Sequence, residues 1–232
     1  MAQSILTGSE AQVSESSFIS KVYLWMSGGL FLSALASFWL LSQPELLKVI
    51  VTNKFLFFGI IIAELALVIA LSAALMRLSA FAAMVMFCGY SFLNGVTLTP
   101  LFLVYTGASV MTTFAVTAWT FLFFSFYGMT TKKDLTSVGS LAMMGLIGVI
   151  IASVVNIFLK SSALMWIMTF VGIGVFLGLI AYDTQKLKSL HVAGIQDEAM
   201  GKKLAIMGAL ALYLDFINLF ILLLRVFGKQ KN

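Results

Sequence analysis

The chain has 232 residues, of which 61% are hydrophobic and 10% charged, and its mean hydropathy is +1.07. An ordinary soluble domain is about a quarter charged, so too few charged groups are present to clothe a water-soluble globule. The net charge of +5 does not point to nucleic acid, because the lysines sit mostly at the ends of apolar runs and no basic block is interleaved with aromatics.

A bilayer core takes roughly 20 apolar residues per helix, and seven runs of that kind are present. Residues 1–20 form a polar, serine-rich tail without the basic-then-apolar pattern of a cleavable signal peptide, so the first run is expected to be a retained span. It covers about Lys21–Leu41 and stops at the breaker Gln43-Pro44. The following runs are Phe55–Met76, Ser79–Leu103 and Ala108–Gly128, the last ending in the polar turn Thr130 to Asp134. Ser137–Leu159 and Ala163 to about Thr184 come next, and Leu204–Phe227 is the seventh. Only Gln185–Lys203 is long enough to hold structure outside lipid, and His191, the single histidine, is read as part of that loop. Cys88, the single cysteine, lies inside an apolar run, which excludes an internal disulfide and leaves no case for zinc, haem or thiol chemistry. No cofactor and no enzymatic activity are expected.

Helices satisfy their own backbone in hydrocarbon and open strands do not, so the predicted class is an all-α integral membrane protein. Its organisation is a tail (1–20), a seven-helix transmembrane domain (21–228) and a short basic tail (229–232). On the N-terminal side lie Lys21, Arg77, Lys132, Lys133, Lys186, Lys188, Lys202 and Lys203; opposite them are Lys48, Lys54, Lys160, Arg225, Lys229 and Lys231. That bias predicts a cytoplasmic N-terminus. The glycines Gly28, Gly29, Gly145, Gly148, Gly172, Gly174 and Gly178 are read as close-packing positions within a monomeric bundle.

Ionisable groups inside apolar runs are costly and therefore informative. Asp215 lies near the middle of the last run, on a face with Gly208, Ala211, Asn218, Leu222 and Arg225. A small and polar stripe on an apolar helix looks into protein or water rather than lipid, which predicts a central last helix. Asp183 closes the sixth run within Ala181-Tyr182-Asp183-Thr184-Gln185 and shares a face with Leu179, Phe176 and Gly172. Arg77 closes the second run on the same side of the membrane, within reach of Asp183. Glu64 is 13 residues from Arg77, roughly 20 Å along one helix, so those two do not pair; a protonated, hydrogen-bonded Glu64 is one reading and an ion-pathway residue the other. Two aspartates in contact share a proton and titrate as a pair. They also offer oxygen ligands for transient Ca²⁺. Physics alone thus arrives at a pH-sensitive cation gate.

Three stretches carry a resemblance: Tyr127-Gly128-Met129-Thr130-Thr131-Lys132-Lys133-Asp134-Leu135, Gly178-Leu179-Ile180-Ala181-Tyr182-Asp183-Thr184-Gln185, and Leu212-Tyr213-Leu214-Asp215-Phe216-Ile217-Asn218-Leu219-Phe220. In order and at these spacings the chain, from about Lys21 to Gly228, resembles the Bax inhibitor-1 (transmembrane Bax inhibitor motif) family in its bacterial, inner-membrane branch. The resemblance implies six helices in two three-helix layers around the last one, and a pH-dependent calcium leak. It implies that Asp183 and Asp215 are the pH sensor in the ion pathway, that Arg77 is the closed-state latch, and that Glu64 is linked with ion passage. Tyr182, Gln185 and Asn218 are the supporting polar residues. The family's eukaryotic members carry a charged tail; only Lys229, Gln230, Lys231 and Asn232 follow here, so tail-based regulation is not expected. The expected partners are the lipid bilayer, Ca²⁺ and protons. A second reading is an interaction protein that restrains a membrane-embedded quality-control protease. An intramembrane aspartyl protease also uses two aspartates as acid and base, but its Gly-x-Gly-Asp is replaced by Leu-Tyr-Leu-Asp at residues 212–215. A coupled antiporter stays open, although no pair of broken helices is evident.

Overall fold

The computed structural model describes residues 8–75, 77–192 and 198–231. Its helices are α1 (Gly8–Leu41), α2 (Pro44–Thr52), α3 (Lys54–Ala74), α4 (Ala80–Leu98), α5 (Leu101–Val104), α6 (Gly107–Thr130), α7 (Thr136–Leu159), α8 (Ser162–Val192) and α9 (Glu198–Phe227). Seven stretches are long and apolar enough to span a bilayer: Ser17–Leu41, Lys54–Ala74, Ala80–Val104, Gly107–Thr130, Thr136–Leu159, Ser162–Leu190 and Ala199–Phe227. These coincide with the seven predicted runs to within a few residues. Large side chains such as Phe55, Phe81, Trp119 and Phe158 are exposed, as lipid-facing residues are.

Four local features differ from expectation. The helix of the first span starts at Gly8, so polar residues expected as a tail continue it. The predicted breaker at Pro44 does end α1, but Pro44 also takes the first-turn position of α2, where its missing N–H costs nothing. Leu47 and Ile50 of this short amphipathic helix pack with Leu40 and Val96. The third span is interrupted at residues 99–100, because Pro100 brings no N–H for the carbonyl one turn back, although Thr99 before it keeps helical backbone. Finally, α8 continues through the expected loop to Val192 and includes His191.

The chain divides into two compact units, one of Met1–Leu101 with Leu187–Tyr213 and one of Phe102–Lys186 with Leu214–Asn232. In the first, α1 packs mainly on α4. A Cβ on Gly95 would run into the backbone carbonyl of Ser33, so glycine is what lets the two helices touch. The hydroxyls of Ser33 and Ser37 donate across the same seam to Ser91 O (2.7 Å) and Gly95 O (2.5 Å). Of the glycines singled out in the sequence, Gly29, Gly145, Gly172 and Gly178 face neighbouring side chains, whereas Gly28, Gly148 and Gly174 face open space.

In the second unit the residues after α9 fold back onto the start of α6. Thr106 N–H donates to Lys229 O (3.0 Å) and Lys231 N–H to Val104 O (2.8 Å), and Tyr105 and Gln230 form an antiparallel bridge. Lys229 N–H donates to Ser109 Oγ, and Lys231 Nζ to Phe102 O. The tail is thus a strap. α9 is the most buried span, with 67% of its central window enclosed against 6% for α7, as its polar stripe predicts.

Two outcomes are expected. Gly95→Ala forces a methyl against backbone that cannot step aside and lowers stability by about 1–3 kcal/mol, read as a lower melting temperature in detergent. Removing residues 229–232 frees Thr106 N–H and Val104 O and accelerates amide exchange around Thr106–Ser109, with a loss of about 1–2 kcal/mol.

Candidate functional site: the Asp183 segment and its neighbours

The segment Ala181–Gln185 of α8 is held on several sides within the second unit. On α6, a Cβ at Gly128 would clash with Ala181 O, and on α7 one at Gly139 would fall inside the Tyr182 ring. Those two glycines let the backbone of α6 meet α8 and let an aromatic ring lie flat on α7. Ser125 and Thr184 share a hydroxyl hydrogen bond of 3.0 Å between α6 and α8. Gln185 closes the segment: its amide donates to Lys133 O (2.8 Å) and its carbonyl accepts from Leu135 N–H (2.8 Å). The Tyr127–Leu135 and Gly178–Gln185 stretches therefore belong to one local assembly. Lys186 lies over the Tyr182 ring, 5.9 Å from its centroid.

The turn before α7 has its own fastening. Asp134 Oδ1 accepts from Thr136 N–H (2.9 Å) and from the Thr136 hydroxyl (2.6 Å). These bonds hold the exposed Asp134 carboxyl below the usual carboxylate range. They favour the ionised form, so this fastening is present at neutral pH and lost as pH falls through the lowered value.

With the other sides occupied, Asp183 meets α9. The Asp183 and Asp215 carboxyls face one another. Asp183 is half-buried and Asp215 buried. The second Asp215 oxygen, Oδ2, has no partner among the described residues. A hydrogen bond between two carboxyls needs a proton on one of them. Asn218, a turn along α9, donates to Leu214 O (2.8 Å). Among the described residues no group of three or more His, Cys, Asp or Glu side chains gathers as a metal site.

Glu64 and Arg77 lie in the first unit. Glu64 is buried and accepts from the Thr97 hydroxyl (2.8 Å) and, at the limit of reach, from the Asn94 amide (3.5 Å). Asn94 Oδ1 accepts from Tyr213 OH (2.9 Å), which is 2.6 Å from Ser33 Oγ. Tyr213 sits edge-on to Phe87 and Tyr90. This network of Ser33, Asn94, Thr97 and Tyr213 was not anticipated from sequence. The available signal was Tyr90, Ser91, Asn94 and Thr97 at helical spacing along one face of the third span. Arg77 is exposed in the turn after α3, its N–H bonded to Ala74 O.

The family model described as inhibitor of apoptosis-promoting Bax1 matches residues 15–232. Inner membrane protein YbhL of Escherichia coli is 47% identical over 215 residues, 92% of each chain. A Borreliella burgdorferi protein is 41% identical over 215 residues, 93% of each chain. An uncharacterized membrane protein of Streptococcus pyogenes is 35% identical over 223 residues, 95% of this chain and 96% of its own. Matched over nearly its whole length and crossed by seven apolar helices, the chain belongs to the Bax inhibitor-1 family and is a multi-pass inner-membrane protein.

Proposed function

We propose that the protein is a passive, proton-regulated cation leak with Ca²⁺ as its principal ion, and that Asp183 and Asp215 are its sensor and its ion site. The observation that carries this reading is the approach of two carboxyls in a chain with very few charges, one of whose oxygens has no partner among the described residues. A buried polar atom left without a partner is costly. A proton, a water or a cation relieves that cost, and the first and last of these compete. Protonated, the pair is neutral and draws no cation. Deprotonated, it carries two like charges at close range in a low dielectric, which a divalent ion offsets well. Flux is therefore expected to fall on acidification. The latch role implied for Arg77 opposes this trend, because protonating Asp183 would release it. The two contributions separate by mutation.

Calcium entry into proteoliposomes holding only this protein, at pH 6, 7 and 8, tests the reading. Wild type should pass severalfold more Ca²⁺ at pH 8 than at pH 6. Asp215→Asn and Asp183→Asn should each flatten the profile, since an amide does not titrate. Arg77→Gln should raise flux without removing the pH dependence that the aspartates supply. A profile that is flat in wild type, or unchanged in both aspartate variants, overturns the sensor. Flux no greater than that of empty liposomes at every pH overturns the leak and leaves restraint of a membrane-embedded partner as the reading to pursue by co-purification.

A further inference from the structure

A groove of about 310 Å³ opens in the second unit where α6 begins and α9 ends, lined by Ala108, Ser109, Thr112, Thr113, Val116 and Phe227. Its threonines differ from the others of the spans. Thr117, Thr120, Thr169 and Thr184 each donate to the carbonyl one turn back. The hydroxyls of Thr112 and Thr113 have no partner among the described residues. Thr113 is only 2% exposed, yet its unpartnered hydroxyl is not sealed within the protein. The little surface this residue keeps therefore includes the hydroxyl, on the groove it lines. A donor without an acceptor is costly in hydrocarbon, and two of them on one groove point to an occupant that supplies acceptors.

The strap sets a cation beside these hydroxyls. Lys229 N–H donates to Ser109 Oγ (2.9 Å), which holds the Lys229 backbone against the groove wall. Its side chain is exposed and has no partner among the described residues. α6 begins at Gly107, next to the lining residue Ala108, and a helix N-terminus carries partial positive charge. Further into the span the same face of α6 turns apolar, with Val116, Trp119 and Phe123 all exposed. Thr112 and Phe123 are 11 residues apart, roughly 16 Å along the axis. One leaflet's share of the hydrocarbon core is about 15 Å. A polar, positively charged head thus leads into an apolar track one acyl chain long.

We infer that this groove is a binding site for an anionic phospholipid. Its phosphate oxygens accept from the Thr112 and Thr113 hydroxyls and from the Lys229 ammonium, and one acyl chain lies along Val116, Trp119 and Phe123. A choline headgroup brings its own cation toward Lys229 and is disfavoured. The site stands apart from the aspartates, and its test reads binding rather than flux.

The experiment is mass spectrometry and thermal melting of the intact protein in detergent, with phosphatidylglycerol, phosphatidylcholine or inorganic phosphate added. Wild type should hold phosphatidylglycerol about tenfold more tightly than phosphatidylcholine. Thr113→Val should weaken phosphatidylglycerol about fivefold and Lys229→Gln about tenfold, whereas Lys229→Arg stays near wild type. Thr112→Val, at an exposed position, reports the same loss should Thr113→Val fail to fold. Lys160→Gln, exposed at the end of α7, should change nothing. Equal binding of the two lipids, indifferent to every variant, means that lipid merely solvates this face and overturns the site. Equal weakening by Lys160→Gln assigns the preference to diffuse surface charge and overturns it too. Stabilisation by inorganic phosphate matching that by phosphatidylglycerol shows an ion site and overturns the lipid assignment.

Discussion

In hydrocarbon a polar group has no water to fall back on, so each must find its partner inside the protein, and this structure is arranged around that demand. Single hydroxyls meet it locally: Thr117, Thr120, Ser153, Thr169 and Thr184 each donate to the carbonyl one turn back. Such groups need nothing from a neighbouring helix. The Asn218 amide does the same with Leu214 O, but carboxyls and the tyrosine hydroxyl do not close on themselves in this way. They draw helices together, Glu64 with Asn94 and Tyr213 in one unit, and Asp183 with Asp215 in the other. Apolar packing offers little preference between helices in lipid, so these few polar contacts specify which helix faces carry one another.

The seven spans were legible because apolar run length is a strong signal, and the stripe on the last run rightly announced the most buried helix. The nine-residue α2 was not legible, since a run too short to span reads as a loop. The break after α4 follows from Pro100 and could have been read. Asp183 and Asp215 stood out individually, yet no spacing rule says that two residues on different helices touch. Around that segment Gly128 and Gly139 bring α6 and α7 close onto α8, at Ala181 and Tyr182. Neither glycine draws attention by itself. The strap formed by Lys229 to Lys231 was likewise invisible, because backbone pairing leaves no trace in side-chain chemistry.

The two carboxyl clusters differ in how their protons are supplied. Around Glu64 the donors point inward. Tyr213 has one hydroxyl proton; directed at Asn94 Oδ1, it leaves the Asn94 amide free to donate to Glu64. Thr97 adds a second donor. Glu64 is thus served by the protein itself and can be satisfied without a proton of its own. The aspartate pair has the reverse balance. The two carboxyls face each other, Lys186 lies near Asp183, and Asp215 Oδ2 faces no donor among the described residues. The first arrangement fixes a carboxyl in place, whereas the second leaves an oxygen of Asp215 without a partner among the described residues.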